Sequence, residues 1–410
     1  MFSLEKRKKR RKTNRNFKQF NQIGISSMSR CASMQLKKFI YLSPSPYLER
    51  ISLASRQVLL DGIKFSSEMH FIPVILGKRY TLAEAANYYL KMIKWWRKAE
   101  VVLTIYPYIC ISFKRSYLLR RLESILIKWL SKSAYSILYI VDLPADRELI
   151  RQRIDIKMYN KANKIEKCIF ESFDILLVFN ENMKKRIQEK YGFNDEKFLL
   201  FEMLDYGVYY KLAKGKEFEK PVKVVFLSSN LNERDCSWIK NIPCSRDVVY
   251  SFFGNDGEWI NKLGREDMVY CGVIPPKDVP KVASEYHFGL IYYDPSIEKY
   301  LQYGSTSKFS AYMAAGLPVI CPSTFSYISY LIQKYKVGLT FNSLYDITKI
   351  LAEINEEEYI MMREKSAELG EKIRNGYFFK KAVNLALHEY EKTLVEAKAS
   401  KQVSVKELPE

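Results

Sequence analysis

The sequence predicts an α/β protein built from two successive doubly wound units, and three observations carry that prediction. Apolar, strand-like runs alternate with helical patterns over most of the 410 residues. The runs are apolar throughout rather than polar at every second position, as expected for parallel strands covered by helices on both faces. The alternation halts at a polar stretch with Gly215 and Pro221 (211–221, KLAKGKEFEKP) and then begins again.

The first unit, 35–210, has strand runs at 37–42, 70–76, 101–106, 136–142, 174–180 and 197–202. Helical patterns fall around 53–64, 82–98, 115–131, 147–172 and 181–191. The second unit, 222–376, has strand runs at 222–229, 247–254, 268–274, 287–293, 317–322 and 337–342. Two helices, 355–374 and 377–398, close the pattern with Gly376 between them, and 399–410 is a tail. Ligands of such sheets bind at the carboxyl ends of the strands, so the expected site is the cleft between the units.

Composition narrows the class. With 48% hydrophobic and 27% charged residues, disorder, collagen-like repeats and disulfide frameworks are excluded. The longest apolar run, 101–113, contains Pro107 and falls short of the ~18–20 residues that cross a bilayer. The seven cysteines are odd in number and include no C-x2-C pair. They support neither a zinc site nor a disulfide scaffold and suit the cytoplasm. Cys271 and Cys321, in apolar runs, are expected as small buried hydrophobes, and His70, His287 and His388 as structural histidines.

The net charge of +20 calls for an anionic partner. Residues 5–18 (EKRKKRRKTNRNFK) concentrate it in a basic tail, 1–34, without apolar periodicity. The tail either tethers the chain to anionic lipid or precedes a start at Met28 or Met34. Two further stretches, 114–132 and 91–98 (KMIKWWRK), mix cations with Tyr117, Trp129 and two tryptophans. They read either as core-facing helices with a solvated basic face or as helices lying on the inner face of a membrane. No helix-turn-helix, RNA-recognition or zinc pattern accompanies the charge, so nucleic acid is not the expected partner.

Residues 304–322 (GSTSKFSAYMAAGLPVICP) carry the chemistry. Gly304, Ser305, Thr306 and Ser307 form a hydroxyl-rich turn leading into a helix, 308–315, which Gly316 and Pro318 end. Lys308 in the first turn opposes the helix dipole unless an anion is bound there. The residue types fit both a diphosphate site and a plain capped helix.

Ser307, Lys308, Tyr312, Ala314, Ala315, Gly316, Leu317, Pro318, Val319 and Ile320 resemble the donor-binding segment of GT-B glycosyltransferases. So do Phe253-Gly254, Gly257-Glu258-Trp259, Val269 to Gly272 and Phe288 to Leu290. The series is especially similar to the group of serine-rich adhesin glucosyltransferases and galactofuranosyltransferases. Asp142 after a buried strand and Leu204-Asp205-Tyr206 extend the likeness loosely to the first unit. The resemblance implies two Rossmann-like domains facing across a cleft, with a terminal helix packing back on the first. It also implies a nucleotide-sugar co-substrate, a UDP-sugar by preference, without metal or other cofactor.

Residue by residue, Lys308 would neutralise the donor diphosphate, and Ser305, Thr306 and Ser307 would offer hydroxyls and N–H groups. Ser229, Asn230 and Arg234 match the loop beneath the phosphates, and Gly272 to Ile274 the main chain that holds the base. Many retaining members carry Glu-x7-Glu; here those positions are Tyr303 and Ala311, which leaves the stereochemistry open. A base would come from the first unit, with Asp142 as first candidate and Glu49 as second. The acceptor would be a glycan, lipid-linked or protein-linked. A nucleotide-sugar epimerase would need more carboxylates and histidines in the cleft, and a non-catalytic GT-B-like partner subunit is the alternative reading.

Overall fold

The computed structural model describes residues 38–46, 53–79, 81–107, 117–208 and 217–406. The basic tail, Glu49 and most of the linker lie outside the described residues. The first half opens with β1 (Phe39–Ser43), α1 (Leu53–Glu68), β2 (Ile72–Ile75), α2 (Leu82–Trp96), β3 (Val101–Tyr106) and α3 (Tyr117–Ser131). It continues through β4 (Tyr135–Ile140), α4 (Pro144–Ile150), α5 (Ile156–Glu171), β5 (Ile175–Val178), α6 (Glu181–Tyr191) and β6 (Phe198–Leu200). The second half runs β7 (Val222–Asn230), α7 (Glu233–Cys236), β8 (Val248–Asn255), β9 (Met268–Tyr270), α8 (Val279–Ala283), β10 (Phe288–Leu290) and α9 (Glu298–Leu301). It ends with α10 (Ser307–Ala314), β11 (Val319–Pro322), α11 (Ser326–Tyr335), β12 (Gly338–Phe341), α12 (Leu344–Glu353), α13 (Glu356–Arg374) and α14 (Tyr377–Lys406).

Two six-stranded sheets result, ordered β2-β1-β3-β4-β5-β6 and β12-β11-β10-β7-β8-β9. Every strand pairing in them is parallel. The unbroken apolar runs follow from burial on both faces: Ile40, Leu42, Val102, Leu103, Ile137 and Leu138 are fully buried. Pro73, which cannot donate to a ladder, falls on the edge strand β2.

The strand order of the second sheet reverses between β7 and β10, which pair in parallel only at Phe288↔Val224 and Gly289↔Val225. Tyr312 of α10 occupies the opening beyond. Its hydroxyl accepts from the Leu227 N–H (3.0 Å) and donates toward the Val225 (3.1 Å) or Leu290 carbonyl (3.2 Å). Gly289 lets the ring lie on β10, since a Cβ there would meet it at 2.6 Å. Gly316, at φ 63°, ends α10 in a left-handed turn in which the Leu317 N–H reaches the Tyr312 carbonyl (2.9 Å).

Helix α14 leaves the second half and contributes Phe379, Ala382, Val383, Ala386 and Tyr390 to the first core. Its first turn is capped by Asp205, whose carboxylate accepts from the Phe379 (2.7 Å) and Phe378 (3.4 Å) N–H groups. Burial pushes that carboxyl up to about 8.

Two expectations need correction. The single helix read at 147–172 is two helices, α4 and α5, separated by a turn in which Gln152 takes φ 55°. Asp155 caps the second by accepting from the Met158 N–H (2.7 Å). Cys271 is exposed just past the short β9, whereas Cys321 is buried as expected. His287 is structural: Nδ1 accepts from the Lys223 N–H (2.8 Å) and Nε2 faces the Glu217 carbonyl (2.9 Å).

Candidate functional site

A cavity of 690 Å³ lies at the carboxyl ends of β7 and β10, where the second sheet reverses its order. This is where open α/β sheets bind ligands, because helix and strand ends diverge there. Its floor is the end of β7, Phe226 to Asn230. Ser307 and Lys308 enter from the first turn of α10, and Arg234 from α7, which Asn232 caps through the Asp235 N–H (2.9 Å).

The Lys308 ammonium lies over two rings, 3.8 Å from the centre of Tyr293 and 4.7 Å from that of Phe226. No carboxylate forms an ion pair with Lys308 or Arg234 among the described residues, so neither cation is held in a salt bridge. Phe253, Val273, Ile274, Pro276 and Tyr206 add an uncharged part of the lining. Tyr206 is fixed there by donating to the Pro276 carbonyl (2.7 Å).

Of the residues singled out in the sequence, Ser229, Asn230, Arg234, Ile274, Ser307 and Lys308 line this cavity. The others do not. Gly304 packs against the Phe179 ring of the first half, where a Cβ would meet it at 2.6 Å. The Ser305 hydroxyl accepts from the Leu204 N–H (3.3 Å), and Thr306 caps α10 through the Phe309 N–H (3.3 Å). Gly272 stands beside the lining at φ 86°, with its carbonyl accepting from the Gly254 N–H (2.8 Å).

Asp142 also lies outside the lining. Its carboxylate accepts from Arg147 and from the Tyr300 hydroxyl of α9, and the same hydroxyl accepts from the Leu143 N–H (2.9 Å). Burial raises the Asp142 pKa, against the opposing pull of Arg147. Through Tyr300 the group bridges the two halves. Glu49 lies outside the described residues.

Comparison with known proteins places this architecture. The family described as Glucosyltransferase 3-like, C-terminal domain matches residues 225–386. Sucrose-phosphate synthase from Thermosynechococcus elongatus superposes with a TM-score of 0.55 over 88% of this chain and 100% of its own, at 11% identity. HepE from Anabaena, solved in complex with UDP-glucose, gives 0.50 over 88% and 99%, also at 11% identity. The chain has the GT-B fold. Among curated proteins, the Escherichia coli β-1,6-galactofuranosyltransferase WbbI is 23% identical over 215 residues, 50% of this chain and 61% of its own. Glucosyltransferase 3 of Streptococcus gordonii is 31% identical over 124 residues, 29% of this chain and 37% of its own. The matches thus span between about a third and three fifths of those relatives.

Within this GT-B frame the sequence reading missed the contribution of the first half. Arg151, Gln152 and Arg153, in the turn between α4 and α5, line the same cavity as Arg234. The only sequence signal was Asp155, a helix-capping residue inside a run that otherwise reads as continuous helix.

The basic aromatic stretches also differ from expectation. The inward side of α3 carries Arg120, Glu123, Ser124, Ile127 and Leu130, while Leu118, Leu119, Leu122, Ile125 and Trp129 are exposed. The Arg97 guanidinium lies 4.7 Å from the centre of the Trp129 ring. Among the described residues no helix is long and apolar enough to cross a membrane.

Proposed function

We propose that the chain is a glycosyltransferase that takes a sugar from a nucleotide diphosphate donor, a UDP-sugar by preference, and passes it to a glycan, lipid-linked or protein-linked acceptor. The observation that carries this reading is Lys308, unpaired by any carboxylate among the described residues, lining with Arg234 one cavity at the reversal point of the second sheet. An ammonium and a guanidinium there suit a diphosphate, while the uncharged lining at Val273, Ile274 and Pro276 suits a base held by main-chain contacts. In the transfer, the bond from sugar C1 to the diphosphate oxygen breaks with its electron pair leaving on phosphate. C1 bonds to an acceptor hydroxyl oxygen, whose proton passes to a general base or to the departing diphosphate. Cations fixed beside the departing phosphate stabilise that charge, and the proposed reaction uses no metal. The curated relatives named for galactofuranosyl and glucosyl transfer, and HepE solved with UDP-glucose, support this donor class.

The test is a screen of UDP-, GDP- and dTDP-sugars with mass detection of donor hydrolysis and transfer, run with and without EDTA. Turnover of a UDP-sugar that persists in EDTA is the expected result. Turnover with none of the donors would leave the alternative, a non-catalytic GT-B-like partner subunit. For the acceptor side, the exposed apolar face of α3 beside Lys128, Arg121 and Arg97 suits an anionic lipid surface, and with it a lipid-linked acceptor. Sedimentation with phosphatidylglycerol vesicles at low salt should exceed that with phosphatidylcholine; equal recovery would remove the membrane from the proposal.

A further inference from the structure

Among the described residues, four cationic residues line the cavity against two carboxylates, Asp235 and Asp294. The cations come from both halves: Arg151 and Arg153 from the first, Arg234 and Lys308 from the second. Both carboxylates are partly used, since Asp294 accepts from the Ser296 N–H (2.8 Å) and Asp235 from Asn232 Nδ2 (3.1 Å). Arg153 has a distant partner in Glu148 (4.0 Å), whereas Arg151 pairs with no carboxylate among the described residues.

The backbone that presents Arg151 is held in place. Its N–H and that of Arg153 bond back to the Arg147 (3.0 Å) and Glu148 (2.9 Å) carbonyls, closing the end of α4. Between them Gln152 is forced to φ 55°, a conformation that a non-glycine residue adopts at a cost. The start of α4 is moored to the second half through Tyr300, which the Leu143 N–H and Asp142 both engage. Arg151 is therefore positioned with respect to Lys308 and Arg234 although it belongs to the other half. Burial, then the like charges of Arg153 and Arg147, lower its pKa, so bringing in an anion relieves a repulsion already present.

We infer that Arg151 is a diphosphate-binding residue, closing from the first half the anion site that Lys308 and Arg234 open from the second. The inference deepens the reading under Proposed function and rests on it for the identity of the anion. It makes the donor site a composite of both halves.

The experiment is calorimetric titration of the full chain with inorganic pyrophosphate, UDP and uridine, for the wild type, Arg151→Ala, Arg151→Gln and the remote exposed control Lys349→Ala. Circular dichroism and Tm without ligand verify folding of each. The expected result is Kd for pyrophosphate and UDP weakened about tenfold or more in both Arg151 variants, as for loss of one charge-assisted hydrogen bond. Uridine binding and the Lys349→Ala variant should match the wild type. Undiminished pyrophosphate and UDP binding in folded Arg151→Gln would overturn the inference and leave the donor assignment standing. Wild-type binding of pyrophosphate but not UDP would remove the donor assignment while the Arg151 variants still decide the anion site. Binding of neither ligand would overturn both.

Discussion

Replacing Lys308 by alanine removes an ammonium that the structure holds 3.8 Å from the centre of the Tyr293 ring inside the cavity. Two losses follow, and they differ in size. Without ligand, the variant forfeits a cation–π contact of about 0.5–1 kcal/mol, so its intrinsic Tm should fall only slightly. With a diphosphate bound, it forfeits a charge-assisted hydrogen bond of about 1.5–3 kcal/mol, which weakens Kd by roughly 10–150-fold. UDP at 100 times the wild-type Kd stabilises the folded state by about 2.7 kcal/mol; after a 50-fold loss the same concentration gives only about 0.6 kcal/mol. The assay is thermal unfolding of both proteins over a UDP series, with the ligand-free Tm as internal reference. Full retention of the UDP-induced shift in Lys308→Ala would refute the reasoning, because a lysine that contributes nothing to binding is an ordinary packed cation.

Three other outcomes are expected. Gly289→Ala places a methyl 2.6 Å from the Tyr312 ring, which its hydroxyl bonds prevent from retreating; chemical unfolding should show a loss of about 1–3 kcal/mol, with weaker UDP binding as α10 shifts. Asp205, raised to about 8, favours the folded state most where it is protonated, and that stability is lost as pH rises from about 4 through 8. Between pH 5 and 8 the loss is up to about 4 kcal/mol, and denaturant titrations of Asp205→Asn should show a flatter pH dependence than the wild type. Tyr300→Phe leaves the partly buried Asp142 carboxylate without its hydroxyl donor and the Leu143 N–H without its acceptor. A loss of about 1–3 kcal/mol should appear in the unfolding midpoint.

The strands were legible because burial on both faces demands unbroken apolar runs, and all twelve segments read as strands are strands. Their ends were less so: the run read through 274 stops at Tyr270, and Cys271, judged by its apolar neighbours, comes to the surface. The hydroxyl turn was read as a group, yet three-dimensional packing divides it. Ser305 and Thr306 serve the backbone, while Ser307 and Lys308 reach the cavity. Arg151 was hidden because arginine and glutamine are good helix formers, so 151–153 reads as helix until Gln152 turns left-handed. Asp142 ends its strand run as a cleft base would, but its partners, Arg147 and Tyr300, come from five and 158 residues away in the chain. The second of these could not be read from local pattern.

The most direct measurement is a crystal structure of the full chain grown with UDP. The account predicts electron density at the reversal point of the second sheet, with a phosphate oxygen within hydrogen-bond reach of Lys308 Nζ and the uracil against Val273 and Ile274. A fully occupied UDP elsewhere, or a vacant cavity with Lys308 still resting on Tyr293 at saturating ligand, would contradict it.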